Sequence, residues 1–141
     1  MAKEDVLELL KDVPLFSGFS KKNLKKAVNS AHEKNFEEGQ PIVREGEKKN
    51  IGFFLILDGQ VEVKQGKKTL STLGPGQFFG EMSALDGEPR SADVVPTTDT
   101  KCLILTNWDI KSLIKTYPDI AMEIIEELTR RLRKTNMALS K

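Results

Sequence analysis

Glycine is distributed very unevenly along this chain, and that unevenness limits the fold more than any other feature. Nine of the ten glycines lie between Gly39 and Gly87, the tenth is Gly18, and none follows Gly87. Glycine permits positive-φ turns and weakens a helix interior by about 1 kcal/mol. The chain therefore reads as helices at both ends with a glycine-turned β region between them. Its 141 residues suit one domain, with 38% hydrophobic and 30% charged residues placing it among folded rather than disordered chains.

The N-terminal pattern places Val6, Leu9, Leu10 and Val13 at helical spacing, broken at Pro14-Leu15-Phe16-Ser17-Gly18. Ser20 is an N-cap candidate for a second short helix, with Leu24, Ala27 and Val28 on one face. Lys21, Lys22, Lys25 and Lys26 occupy the other; without interleaved aromatics they read as a solvated face rather than a nucleic-acid patch. From 36 to 105 the periodicity is that of strands. Phe53-Phe54-Leu55-Ile56-Leu57 runs into Asp58-Gly59, a hairpin signal, and Val61-Glu62-Val63-Lys64 alternates beyond it. Gly66-Lys67-Lys68 turns the chain again, and Val94-Val95 and Cys102-Leu103-Ile104-Leu105 supply the last two strands. Many short strands with close turns predict a sandwich, a barrel or a jelly roll.

Asn107 is positioned to cap a helix through Trp108, Ile110, Leu113 and Ile114, and Pro118-Asp119 starts a last helix of about 20 residues. Along it Ala121, Ile125, Leu128, Leu132, Thr135 and Leu139 form an a/d seam of almost three heptads, which either packs on its own domain or, as the favoured expectation, pairs with a second copy of the chain. Thr135 interrupts the seam with a polar group.

Several functions are excluded early. The chain has one cysteine, Cys102, and one histidine, His32, so an intramolecular disulfide, a cysteine–histidine zinc site and a histidine-rich metal site are ruled out. Cys102 reads as a small core residue. Lys and Arg number 22 against 21 Asp and Glu, which removes any global attraction to nucleic acid or to an anionic membrane. No apolar run approaches the ~20 residues of a membrane span, and the charged Met1-Ala2-Lys3-Glu4-Asp5 start is unlike a signal peptide, so a cytoplasmic location is expected. No catalytic constellation is visible.

The segment from Phe78 to Val94 carries the chemistry. Gly80 lets backbone approach a ligand closely. Residues 81–85 fit one helical turn whose first amides favour an anion. Arg90 presents a planar fork of donors suited to a phosphate, Ser91 adds a hydroxyl, and Glu81 supplies an acceptor for sugar hydroxyls. Residue by residue, a Glu81–Arg90 salt bridge across a strand connection is the simpler reading; the ordered combination points to a sugar phosphate.

Phe79-Gly80-Glu81 followed by Pro89-Arg90-Ser91-Ala92 resembles the phosphate-binding cassette of cyclic nucleotide-binding domains, the module of bacterial catabolite activators, cyclic-nucleotide-dependent kinases and gated channels. Val13-Pro14-Leu15-Phe16, Ile56-Leu57-Asp58-Gly59-Gln60-Val61 and Gly74-Pro75-Gly76-Gln77-Phe78-Phe79-Gly80 extend the likeness over nearly the whole chain. The resemblance implies a mainly β fold with flanking helices: a double-stranded β-helix, or jelly roll, with N-terminal helices and two C-terminal helices, the last one long. It implies one domain, with an N-terminal helical segment at 1–32, a roll at 33–106 holding the cassette at 79–92, and lid and dimerisation helices at 107–141.

The same resemblance implies a ligand, cyclic AMP or cyclic GMP, with the balance favouring cyclic AMP. Arg90 would pair with the cyclic phosphate, helped by Ser91 and by amides around Ser83 and Ala92. Glu81 and the Gly80 backbone would hold the ribose 2′-hydroxyl, with Phe79, Met82 and Pro89 completing the cassette. Thr135 and Asn136 stand where catabolite activators carry a Thr-Ser pair that meets the base, the second residue acting from the partner subunit; Asn136 departs from that pattern. The expected molecule is a homodimeric receptor or regulatory module with an unidentified effector, without catalysis, metal, membrane contact or direct DNA binding. It is expected to stand alone or to be the sensory part of a longer protein. Two alternatives remain: a nucleotide-free dimerisation or interaction module of the same fold, and a cyclic dinucleotide sensor. Haem-binding and iron–sulfur relatives are disfavoured by the position of His32 and by the lone Cys102.

Overall fold

The computed structural model describes residues 3–47, 52–81, 83–88 and 92–140. They form two units, Met1–Asn29 with Ser112–Lys141, and Ser30–Lys111. Together they give the mainly β fold with flanking helices that was expected.

The second unit contains two antiparallel sheets. One has the strand order β1-β7-β2-β5, built from β1 (His32–Phe36), β2 (Gly52–Asp58), β5 (Phe78–Phe79) and β7 (Thr100–Thr106). The other has the order β4-β3-β6, from β3 (Val61–Gln65), β4 (Lys68–Leu73) and β6 (Asp93–Pro96). Every residue of β2 except Asp58 is buried, as expected for a continuous apolar run in a central strand. Phe36, Ile42, Val43, Phe54, Ile56, Val61, Val94 and Cys102 form one core cluster drawn from both sheets. β1 starts ahead of the strand-like stretch read from sequence, because it is an edge strand whose first four residues are exposed and carry no apolar alternation.

The Asp58-Gly59 turn is not the hairpin expected. β2 and β3 do not pair; they belong to different sheets, so the turn carries the chain from one sheet to the other. The hairpin lies one connection later, where β3 and β4 pair from Val61↔Leu73 to Gln65↔Lys68 around Gly66. Local turn chemistry specifies a reversal, not which strand receives the returning chain.

Cys102 is fully buried in β7. Burial pushes its thiol up to about 12, so almost no thiolate exists near neutrality. A disulfide exchange reagent at pH 8 is therefore expected to leave the native protein unlabelled and to titrate one thiol in denaturant. Rapid native labelling would contradict the burial of β7.

In the first unit, α1 (Lys3–Lys11) leads through a 3-10 turn, Pro14–Phe16, to α2 (Lys21–Ser30). Ser20 caps α2 as expected, its hydroxyl accepting the Asn23 N–H at 3.2 Å. The buried face of α2 holds Leu24 and Ala27, but also Asn23, only 1% exposed. The Asn23 amide donates to Asp119 at 2.8 Å and to Glu123, holding the Asp119 carboxyl below its ordinary value. Lys26 departs from the solvated lysine face: it is half-buried, with Nζ 3.7 Å from the Tyr117 ring centroid. α4 (Asn107–Thr116) precedes α5 (Pro118–Leu139), a helix of 22 residues with proline at its start. α5 buries Ile120 and Ile124, whereas Ile125, Leu132 and Leu139 of the heptad seam are exposed.

Candidate functional site

The approach to the cassette is locked onto β2. The Gln77 side-chain oxygen accepts the Gly74 N–H at 2.8 Å, Gly76 N–H donates to the Ile56 carbonyl at 2.8 Å, and Ile56 N–H donates to the Gln77 carbonyl at 2.9 Å. β5 then pairs with β2 through Leu55↔Phe78 and Phe54↔Phe79. Successive residues of a strand face opposite ways, so the Phe78-Phe79 pair anchors both faces of the sheet. Phe79 stacks on Phe54 with centroids 4.8 Å apart and planes 4° off parallel, while Phe78 meets Phe53 at 6.0 Å.

Gly80 takes the chain out of β5 with φ of +76°, a conformation most side chains resist. Its carbonyl accepts the Ala84 N–H at 3.2 Å, which fixes the entry to α3 (Ser83–Asp86). Glu81 is half-buried in the turn between them. Gly87, with φ of +70°, ends the helix and returns its N–H to the Ser83 carbonyl at 3.0 Å. The observed helical turn starts two residues later than the 81–85 stretch read from sequence, since Gly80 and Glu81 are spent on the bend.

Asn107 has a different role from the one expected. The cap of α4 is Thr106: its hydroxyl accepts the Asp109 N–H at 3.0 Å, and the Asp109 carboxylate accepts the Thr106 N–H at 2.9 Å. This reciprocal box frees the Asn107 side chain, which donates from Nδ2 to the carbonyls of Ala84 at 3.0 Å and Leu85 at 3.3 Å. Those are C-terminal carbonyls of α3 that lack helical partners. Asn107 thus ties the cassette helix to the start of α4. The Thr-x-x-Asp spacing was the signal that could have found it. Asn107→Ala is expected to cost about 1–3 kcal/mol of stability and to speed amide exchange at Ala84 and Gly87. Unchanged exchange at both amides would remove the tether.

The far end of the cassette is anchored in the second sheet. Ala92 is buried just before β6, where Val63↔Val94 and Lys64↔Asp93 pair with β3. Val94 also exchanges backbone hydrogen bonds with the 42–43 segment, at 2.8 and 3.0 Å, and Asp93 accepts the Glu45 N–H at 2.6 Å. The second unit therefore holds Phe79, Gly80, Glu81, Ser83 and Ala92 of the expected site. Met82, Pro89, Arg90 and Ser91 lie outside the described residues. Thr135 and Asn136 stand on α5 in the first unit, both exposed. Among the described residues no group of three or more His, Cys, Asp or Glu side chains is placed to hold a metal ion.

Comparison with known proteins agrees with this arrangement. The profile of the cyclic nucleotide-binding domain matches residues 33–117. A cyclic AMP receptor protein of Thermus thermophilus is 33% identical over 135 residues, covering 92% of this chain and 62% of the relative. A cyclic nucleotide-gated potassium channel of Mesorhizobium japonicum is 36% identical over 114 residues, covering 81% of this chain and 31% of the channel. This chain thus spans less than two thirds of either. Among solved structures, the N-terminal domain of a transcriptional regulator from Streptomyces coelicolor superposes with a TM-score of 0.84 at 27% identity, covering 92% of this chain and 96% of that one. A profile match across most of the roll, with the Phe-Gly-Glu and Pro-Arg-Ser-Ala halves of the cassette in order, means that this chain belongs to the cyclic nucleotide-binding domain family.

Proposed function

We propose that this chain is a cyclic AMP receptor module that signals through its C-terminal helices. The observation that carries the reading is the Gly80-Glu81 bend: a left-handed glycine ending a strand that is clamped on both faces, with Glu81 delivered straight into a short helix held at its other end by Asn107. Such a bend positions one carboxylate and nearby amides with little freedom left to lose on binding. Glu81 and the Gly80 backbone are assigned to the ribose 2′-hydroxyl, Arg90 and Ser91 to the cyclic phosphate, with Ser83 and Ala92 amides assisting. Phe79, Met82 and Pro89 shape the cassette. Thr135 and Asn136 are assigned to the base. The cyclic AMP preference is supported by the receptor activity named for the Thermus relative; the Thr135 hydroxyl suits either base, accepting from an adenine amino group or donating to a guanine carbonyl.

In this reading the roll at 33–106 holds the ligand and the helices at 107–141 respond to it. The response requires that the nucleotide bind one arrangement of those helices more tightly than the other. The exposed Ile125, Leu132 and Leu139 support pairing of α5 with a second copy, since a heptad stripe left uncovered in one chain is the surface a coiled coil buries. Among the described residues no helix is long and apolar enough to cross a membrane.

The deciding experiment is calorimetric titration of nucleotide-free protein with cyclic AMP and cyclic GMP, with sedimentation run in parallel. Saturable binding, tighter for cyclic AMP, is expected from a dimer that Leu132→Asp converts to monomers. Absence of heat with either nucleotide from folded protein would overturn the receptor reading and favour an interaction module.

A further inference from the structure

The inner face of the four-stranded sheet changes character at its edge. The register His32↔Ile104 and Phe54↔Ile104 places His32 on the same face as two core residues, and Lys34↔Cys102↔Ile56 does the same for Lys34 one step along. The edge strand thus turns two basic side chains toward the side of the sheet that elsewhere carries the core. Between them and the segment at 40–42 lies a cavity of about 390 Å³, within the usual range of small-molecule sites. Its floor is apolar: Phe36, Ile42, Phe54 and Ile104. None of the described cassette residues lines it. Phe54 contributes to its wall and stacks on Phe79, so the cavity neighbours the cassette without sharing its polar groups.

The rim carries His32, Glu33 and Lys34, and they are not equivalent: Glu33 alternates to the opposite face of the strand from the other two. His32 Nε2 lies 3.8 Å from the Asp109 carboxylate. Lys34 extends over the floor, its Nζ 5.3 Å from the centroid of Phe36. Among the described residues no carboxylate forms an ion pair with Lys34. A cation held over an apolar floor with no counter-ion among the described residues is complementary to a ligand with an apolar body and one negative group.

We propose that this cavity binds a small amphipathic anion: an aromatic or branched apolar body seated on Phe36, Ile42, Phe54 and Ile104, with one carboxylate or sulfonate at Lys34. The cavity is a second site, separate from that for the cyclic nucleotide.

The probe is 8-anilinonaphthalene-1-sulfonate, an aromatic sulfonate whose fluorescence rises in apolar surroundings, with N-phenyl-1-naphthylamine as its uncharged analogue. The expected result is a saturable rise at one site per chain that persists with cyclic AMP at saturation. Lys34→Glu should weaken the sulfonate about five- to tenfold and leave the uncharged analogue unchanged, while Lys34→Arg should keep both. Lys34 is exposed on an edge strand, so neither substitution disturbs the core. No saturable rise, a sulfonate affinity indifferent to Lys34→Glu, or stoichiometric displacement by cyclic AMP would each overturn the proposal.

Discussion

Replacing Arg90 by alanine is expected to weaken cyclic AMP binding by between about 30- and 5000-fold. The effect is electrostatic. A cyclic phosphate carries one negative charge that cannot be neutralised by protonation near pH 7. Enclosed by a cassette, that charge must be met by donors or left unpaired, and leaving it unpaired is where most of the loss arises. Arg90 is the one guanidinium between Glu81 and the start of β6. Arg90→Lys retains the charge but not the two-pronged geometry, so its affinity should fall between wild type and Arg90→Ala. Calorimetry on the three proteins tests the order. An Arg90→Ala protein that binds within about threefold of wild type would show that the phosphate is met elsewhere and would dismantle the cassette assignment. Glu81→Ala supplies the complementary reading, because it would remove the proposed sugar contact and leave the proposed phosphate contact in place.

How much of this was legible from sequence differs by element, for identifiable reasons. Helices flanking a β region followed from glycine placement, since a strand-rich region needs many reversals and helices need none; the choice of a jelly roll over a sandwich or a barrel came with the family resemblance. The buried run at 53–57, the capping serine at position 20 and the start of α5 at Pro118 were likewise written in local chemistry, and local chemistry does not depend on the rest of the fold. What failed was non-local. Asp58-Gly59 announces a tight turn, yet whether the next strand pairs with the last or crosses to another sheet depends on partners forty residues away. Asn107 failed by competition: two neighbouring residues could both cap α4, and the Thr106–Asp109 box won because it satisfies two backbone or side-chain partners at once. The released amide then found the open carbonyls of α3. Asn23 was invisible for a similar reason. A polar residue on an otherwise apolar helical face reads as exposed until Asp119 and Glu123 appear across from it.

The cassette was legible as an ordered pattern more than as a set of single residues. Gly80 and Gly87 bracket α3 with positive φ at both ends, and glycine is the residue that adopts that conformation at least cost, so the backbone requirement shows directly in the sequence. The Asn107 tether is less visible, since an amide donor could come from several places in space. The glycines that the backbone dictates are therefore visible in the sequence, while the group that holds the short helix rigid goes unnoticed.

The crossing at Gly59 leads to the largest expected effect on stability. Gly59 has φ of +97°, and a Cβ built there would sit 2.5 Å from the Asp99 carbonyl oxygen, 2.5 Å from Thr100 Oγ1 and 2.7 Å from Thr100 Cα. The facing turn cannot retreat. Thr97 N–H donates to the Gln60 carbonyl at 2.9 Å, Gln60 N–H donates to Thr98 Oγ1 at 3.0 Å, and the buried Thr100 hydroxyl donates to the Thr98 carbonyl at 2.9 Å. Gly59→Ala therefore combines two penalties, about 1–2 kcal/mol for a left-handed alanine and about 1–3 kcal/mol for the overlap. The total, roughly 2–5 kcal/mol, corresponds to a fall in Tm on the order of 10 °C for a chain of this size. Gly66 separates the two contributions. It has φ of +61° with nothing within 4 Å of the added carbon, so Gly66→Ala carries the conformational penalty alone. Denaturant titration of both variants isolates the close approach as their difference. If Gly59→Ala and Gly66→Ala prove equally costly, the two turns at 58–60 and 97–100 are not locked together, and the connection between the sheets has more freedom than its hydrogen bonds imply.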